Sequence, residues 1–391
     1  MKYSNPCKVV AFGFKVTPWE VEGVVDYKKL LEEFGASEIT DDLLNLMKNI
    51  TGELHILLSR KVFYAHRDLD LILNDYLKGK GFFLYTGIAP SKSTMHLGHV
   101  IPFILTKWLQ EKFKVNAYIM IPDEEKYLAK KAESLRKVDE LVDRTILDII
   151  ALGYDPDKTF IFRDREYIKN LYTAAVMVAR RINYSMAKAV FGFTGETSIG
   201  LIFYPALQIV PTFFEKRRCL IPYGIDQDPY FRIQRDIAPK LGYYKTAGIM
   251  SIFIPGLEGI KSKMSASKPE TAIFLSDDPN IAAKKVMNAF TGGQPTVKEQ
   301  REKGGIPEIC CVYQWFKILF EPNEKGLIER YRKCKRGELL CGECKIELAK
   351  RIKKFLENHQ INVKKAEKIK DKFLYDGKLA REMWNWKIEY Q

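Results

Sequence analysis

The stretch from Phe82 to Ile121 constrains this chain more than any other. Phe82-Phe83-Leu84-Tyr85 is a short apolar, aromatic run stopped by Thr86-Gly87, the pattern of a buried strand leaving for a loop. After the loop 88–95, apolar residues recur at 97, 100, 101, 104, 105, 108 and 109 with helical spacing, and Asn116 to Ile121 reads as a second buried strand. Strand, loop, helix and strand predict a βαβ unit. Such a unit requires a parallel sheet covered by helices, with ligands at the carboxyl ends of the strands. The loop after Tyr85 is therefore the first place to seek a site.

The α/β pattern continues downstream. Val138, Leu141, Val142, Ile146, Ile149 and Ile150 share one helical stripe, and Gly153 with Pro156 breaks the chain before a strand at Thr159 to Phe162. Cys219 to Tyr223 reads as another strand, and beyond about residue 280 strand signals give way to charged, amphipathic helix. With 391 residues, too many for one ordinary core, three parts are expected: an N-terminal appendage over 1–80, a Rossmann-like parallel-sheet domain over 81–276 and a helical domain over 277–391. A formal net charge of +14 favours polyanionic partners such as nucleotides and nucleic acid. No secretory leader and no bilayer-length apolar run stand out, so a cytoplasmic protein with reduced cysteines and no membrane partner is expected.

Two short segments carry phosphate chemistry. His96 and His99 lie three apart where the putative helix begins, so both imidazoles can project toward one ligand, and Gly98 between them permits close approach to the backbone. Alone, such a pair reads equally as a zinc site or as core histidines. Lys263-Met264-Ser265-Ala266-Ser267 lies in a loop of small residues and cations suited to covering phosphates, and alone it reads as a solvated basic loop.

Taken together, Met95-His96-Leu97-Gly98-His99 and Lys263-Met264-Ser265-Ala266-Ser267 resemble the paired signatures of class I aminoacyl-tRNA synthetases. Asp123-Glu124-Glu125-Lys126-Tyr127-Leu128, Tyr204-Pro205-Ala206-Leu207-Gln208, Asp226-Gln227-Asp228-Pro229-Tyr230-Phe231-Arg232 and Tyr64-Ala65-His66-Arg67-Asp68 resemble the tryptophanyl members of archaeal/eukaryotic type. The resemblance implies a Rossmann-like catalytic domain with a helical anticodon-binding domain. It implies activation of L-tryptophan by ATP and Mg²⁺ to an adenylate, then transfer to tRNA(Trp), in a homodimer. His96, His99 and Lys263 would stabilise the transition state, and Gly98, Lys263, Met264, Ser265 and Ser267 would hold ATP. Tyr85, Met120, Glu125, Gln208 and Gln227 would hold tryptophan. The alternatives are a tyrosyl-tRNA synthetase and an inactive RNA-binding relative.

Two departures matter. Ala266 stands where the most general family motif has lysine, so Lys261 or Lys268 is expected to supply that charge. Met120 stands where the eukaryotic pattern has a glutamine that accepts the indole N–H; methionine is a poor acceptor, which leaves the contact to Tyr85, water or another group. The span between the two ATP motifs is too compact for a separate editing domain, so no editing is expected.

Five of the seven cysteines crowd into the C-terminal part, with Cys311, Cys334, Cys341 and Cys344 ending in a CxxC pair and Cys310 spare. Four thiolates so spaced suit zinc or an iron–sulfur cluster, or remain free. The spacing resembles the [4Fe-4S] motif of certain tryptophanyl-tRNA synthetases. Around it, Arg330, Tyr331, Arg332, Lys333, Lys335 and Arg336 combine charge with an aromatic ring and are expected to meet RNA.

Overall fold

A computed structural model describes residues 14–16, 21–23, 27–90, 94–264 and 268–389. In chain order the strands are β1 (Phe14–Val16), β2 (Val21–Gly23), β3 (Ser37–Glu38), β4 (Phe63–Arg67), β5 (Phe82–Gly87), β6 (Ala117–Ile121), β7 (Thr159–Arg163), β8 (Arg218–Gly224), β9 (Ala247–Ser251), β10 (Pro255–Gly256) and β11 (Gly259–Lys263). Among the described residues, seven of them form one sheet in the order β3-β4-β9-β8-β5-β6-β7. The run from β9 to β7 is parallel, and β4 and β3 add antiparallel strands at one edge. From β5 the chain moves outward through β6 to β7, then returns to the other side of β5 with β8. The gap between the carboxyl ends of β5 and β8 is the switch point at which such sheets bind ligands.

The strands read as unbroken apolar runs because both faces of the sheet are covered. Alternation still sorts the side chains. Phe82, Leu84, Ala117, Ile119 and Ile121 point into one core, which continues through Trp315, Phe316, Ile352 and Leu356 of the C-terminal helices. Phe83, Tyr85, Tyr118, Met120, Phe160 and Phe162 point into the other, more aromatic core, closed by Leu379, Ala380 and Met383 near the C-terminus. Each predicted strand exists within a residue or two of its expected limits. The helix after β5 spans Leu97–Phe113 and ends at Lys114 in the left-handed conformation (φ 57°). Its predicted successor spans Leu135–Ile150, with Ser134 capping the Lys137 N–H.

The N-terminal part differs from expectation. β4 hydrogen-bonds to β9 and β3 to β4, so residues 37–67 extend the sheet instead of forming an appendage beside it. The sequence Phe63-Tyr64-Ala65-His66-Arg67 concealed a strand because its polar residues find partners only in the folded chain. Past residue 276, the described residues form helices, of which Pro279–Met287 packs along Cys341–Glu367. Gln360 on that long helix donates to the Asp277 carbonyl at 2.9 Å, joining the two regions.

Candidate active site

A cavity of about 380 Å³ opens at the switch point, lined by the ends of β5, β6 and β8 and by the helix that starts at Leu97. It gathers Tyr85, His96, Gly98, His99, Met120, Glu125, Gln208, Gln227 and Met264, which lie far apart in sequence. Gly87 permits the strand ends to close up: a Cβ there would lie 2.7 Å from the Met120 carbonyl oxygen.

His96 is the N-cap of its helix. Its Nδ1 accepts the His99 N–H at 3.3 Å, and the His99 Nδ1 accepts the His96 N–H at 3.5 Å, a reciprocal capping box built from two imidazoles. The rings stack with centroids 3.5 Å apart. Because each Nδ1 is an acceptor, each neutral ring carries its proton on Nε2, which makes that atom a donor. The helix start therefore presents imidazole donors more than bare backbone N–H groups; the Leu97 N–H is already taken by the Ile273 carbonyl. Gly98 leaves room for the His96 ring, which a Cβ there would approach to 3.2 Å.

The other motif lies on the β10–β11 hairpin. Lys263 ends β11, and its side chain lies outside the described residues, as do Ser265, Ala266 and Ser267 and the side chain of Lys261. Met264 is buried and lines the cavity. Lys268 faces Glu258 at 3.7 Å on the surface.

The amino-acid side is more fully defined. Tyr85 is buried, and its hydroxyl donates to the Gln208 carbonyl oxygen at 3.0 Å with the Met120 sulfur also at 3.0 Å. Burial raises its pKa well above that of ordinary tyrosine, with Asp164 adding to the effect. The hydroxyl proton is committed to the stronger acceptor, the carbonyl, so the oxygen keeps lone pairs for a donor. Gln208 Nε2 donates to Gln227 Oε1 at 3.4 Å, and Gln227 Nε2 donates to Asp226 Oδ2 at 3.2 Å. This chain of amides leaves the Gln208 side-chain oxygen as an acceptor. Glu125 is buried, with both oxygens held by Lys126 Nζ at 2.9 and 3.0 Å.

Within the Asp226–Arg232 motif, Asp226, Gln227, Tyr230 and Phe231 line the cavity, while Asp228 holds the segment in place. Asp228, fully buried, takes both Arg67 nitrogens at 2.8 Å and the Tyr223 hydroxyl at 2.9 Å. Arg67 also donates to the carbonyls of Phe34 and Gly35. The segment Tyr64–Asp68 thus clasps the segment Asp226–Arg232. Sequence reasoning missed Tyr204, Tyr223, Phe231, Ile254, Lys126 and Lys131 as cavity residues, because each is an ordinary core or surface residue until the chain folds.

The four spaced cysteines do not share one environment: Cys311 is buried, whereas Cys334, Cys341 and Cys344 are half-buried. Cys311 is sealed in the core, its thiol donating to the Phe290 carbonyl at 2.8 Å. Burial lifts that thiol to about 12. Cys334 is also raised to about 12 by burial, reinforced by Cys310, Cys344 and Cys341. A helix starts at Cys311, which turns the two adjacent side chains in different directions. Among the described residues no group of three or more His, Cys, Asp or Glu is arranged to hold a metal ion. Arg330 also turns inward, its guanidinium 3.8 Å over the Phe316 ring and Nη1 at 3.5 Å from the Cys344 sulfur. No described helix is long and apolar enough to cross a membrane.

Residues 78–357 match the family described as tRNA synthetases class I (W and Y). A tryptophan–tRNA ligase of Pyrococcus furiosus is 60% identical over 374 residues, covering 95% of this chain and 97% of the relative. One from Saccharolobus solfataricus is 54% identical over 372 residues, covering 95% and 98%. Among solved structures, the tryptophanyl-tRNA synthetase of Giardia lamblia superposes with a TM-score of 0.86 at 36% identity, covering 90% of this chain and 96% of that one. That of Plasmodium falciparum gives 0.86 at 37% identity, covering 91% and 99%.

Proposed function

The chain belongs to the class I tRNA synthetases of the tryptophan and tyrosine group, and within that family we propose that it activates L-tryptophan with ATP and transfers it to tRNA(Trp). It is an enzyme, a ligase. The observation that carries the reading is the convergence of the histidine pair and the tyrosine–glutamine–glutamate set on one cavity at the sheet's switch point.

The tryptophan carboxylate attacks the α-phosphorus of ATP, and the bond to the leaving diphosphate breaks. The Nε2 donors of His96 and His99 and the ammonium of Lys263 would neutralise charge growing on the phosphates, with Gly98, Met264, Ser265 and Ser267 shaping the nucleotide site. Mg²⁺ comes with the nucleotide as its phosphate counter-ion. The terminal ribose hydroxyl of the tRNA then displaces AMP. No covalent enzyme intermediate is needed.

Tyr85 accepts the indole N–H, since the Gln208 carbonyl already holds its proton; Met120 packs against the ring and offers only a weak acceptor. The substrate ammonium goes to Glu125 and the free Gln208 oxygen, and Gln227 keeps Gln208 oriented. A tyrosine side chain would bring a hydroxyl, itself able to accept, in place of an obligate donor.

Three finer points belong to the same proposal. A homodimer is supported by Ile168, Tyr172 and Val176, exposed at helical spacing on Asp164–Ala179. Anticodon contact is supported by Lys333, Lys335 and Arg336, whose acidic partners Glu329, Glu308 and Glu338 form only surface pairs that phosphates can replace. A [4Fe-4S] cluster, or zinc, rests on cysteine spacing alone, that of Cys311, Cys334, Cys341 and Cys344.

Amino-acid-dependent exchange of pyrophosphate into ATP tests the reading. Exchange with tryptophan and not tyrosine is expected, and the reverse overturns it. Unchanged tRNA affinity after Lys335→Ala with Arg336→Ala would remove those two residues from RNA binding.

A further inference from the structure

Behind the amino-acid side of the cavity lie two carboxyl groups to which the reaction gives no role. Asp164 opens the helix that follows β7 and is 1% exposed, and Glu124 stands in the turn after β6. All four of their oxygens are shut away from solvent and meet no donor of another residue; the Glu124 carboxylate has only its own backbone N–H beside it. The two side chains are within hydrogen-bonding reach of each other. A hydrogen bond between them exists only if one carboxyl keeps its proton. Two ionised carboxylates sealed together without a donor would repel each other and forfeit their solvation, whereas a shared proton removes one charge and supplies the missing bond.

The neighbours on every side leave the pair uncompensated. Asp123 beside it is spent on Arg163 and Arg165, at 2.9 and 3.0 Å, and both arginines also hold Asp139 on the helix Leu135–Ile150. Glu125 is bound to Lys126. The wall residues Tyr85 on β5 and Tyr204 on the helix Ile199–Ile209 feel the pair's field, since Asp164 raises the hydroxyl pKa of both. Those two tyrosines line the cavity, so the pair acts on the cavity wall from behind.

We propose that Glu124 and Asp164 share one proton in the empty enzyme, and that the ammonium of tryptophan expels it on binding, so that the second negative charge forms only when the substrate is in place. The inference rests on the tryptophan reading above. An opposite charge arriving nearby favours the ionised form, and by linkage the ionised form binds the ammonium more tightly. Burial, reinforced by Asp123 and Glu125, raises Glu124 to about 7, and it raises Asp164 as well. The sign follows. Below neutrality the pair keeps its proton and tryptophan binds less tightly; as pH rises through neutrality the pair ionises, affinity increases, and above that range it levels off. Both are positioning residues, since neither touches the reacting atoms.

Calorimetric titration of the full chain with tryptophan, in buffers of different ionisation enthalpy, reads the proton directly. The wild type is expected to release roughly half a proton per site at neutral pH and closer to one somewhat below it, with Kd falling several-fold as pH is raised. Glu124→Gln and Asp164→Asn each replace the protonated carboxyl by an amide of the same shape. Each is expected to bind tryptophan without proton release and with a flat pH profile. No buffer dependence in the wild type would overturn the inference, even if neither variant folded. Release that survives in either variant with wild-type melting would also overturn it, and would assign the proton to His96 or His99 in the same cavity. A chain that binds no tryptophan at any pH overturns the tryptophan reading and this inference together, whereas binding without release overturns the inference alone.

Discussion

The switch-point cavity and the cysteine region make an instructive pair, because each was marked in sequence by residue types at suggestive spacing. In the cavity the marked residues meet. Tyr85, Met120, Gln208 and the two histidines reach one volume because parallel strands all deliver their next residues to the same edge of the sheet. In the cysteine region Cys311 turns toward the Phe290 carbonyl, and the described residues form no group arranged to hold a metal ion. A strand end fixes which way a side chain points by simple alternation. A helix start does not, since one residue of offset there rotates the side chain by about 100°, the angle per residue of a 3.6-residue turn.

The sharpest way to break the comparison is at the nucleotide side of the cavity. Lys263→Ala is expected to lower kcat/KM for tryptophan-dependent exchange by about 10²–10³-fold with unchanged thermal stability, the usual cost of losing one preorganised donor to a charged transition state. A loss below tenfold would take Lys263 out of the catalytic set.

Asp228→Ala attacks the clasp that holds the cavity's far wall. It leaves the nearly buried Arg67 without its carboxylate, and a destabilisation of about 3–5 kcal/mol is expected in denaturant unfolding. An unperturbed midpoint would show that Arg67 finds enough partners in the carbonyls of Phe34 and Gly35.

Tyr85→Phe removes the indole acceptor while keeping the packing. A loss of about 1–3 kcal/mol, roughly tenfold or more in kcat/KM for tryptophan, is expected from leaving a buried donor unpaired. The loss should vanish for a substrate analogue with sulfur in place of the indole N–H. Met120→Gln should move discrimination the other way by adding an acceptor; equal loss for both substrates after Tyr85→Phe would reduce Tyr85 to packing.

The smallest effect distinguishes the cysteines. Cys311→Ser should cost about 1 kcal/mol, within the range of a buried polar swap, and like Cys334→Ser should abolish binding of iron or zinc, whereas Cys310→Ser should leave it unchanged. Metal lost from the Cys310 variant and kept by the Cys311 variant would replace Cys311 in the ligand set.

Much of this molecule was legible beforehand. The strands β5, β6, β7 and β8 announced themselves as apolar runs between breakers, and His96, His99, Tyr85, Glu125 and Gln208 were named from their motifs. β4 was not legible as a strand, since His66 and Arg67 look solvent-facing until the latter meets Asp228. Glu124 and Asp164 were equally hidden: in sequence they are two acids among 49, and only burial without a donor makes them unusual.

What the linear chain determined is the set of local choices: where apolar periodicity switches between strand and helix, and which residue types capable of phosphate and ammonium chemistry are present. Those follow from short-range sterics and burial, which act over a few neighbours. Only the tertiary structure decided which partners each polar group receives. It gave the Tyr85 proton to a carbonyl, Arg67 to Asp228, and nothing to Glu124 and Asp164 except each other. The reason is that the energy of a buried polar group depends on what surrounds it in space, and those surroundings are assembled from segments that the sequence keeps far apart.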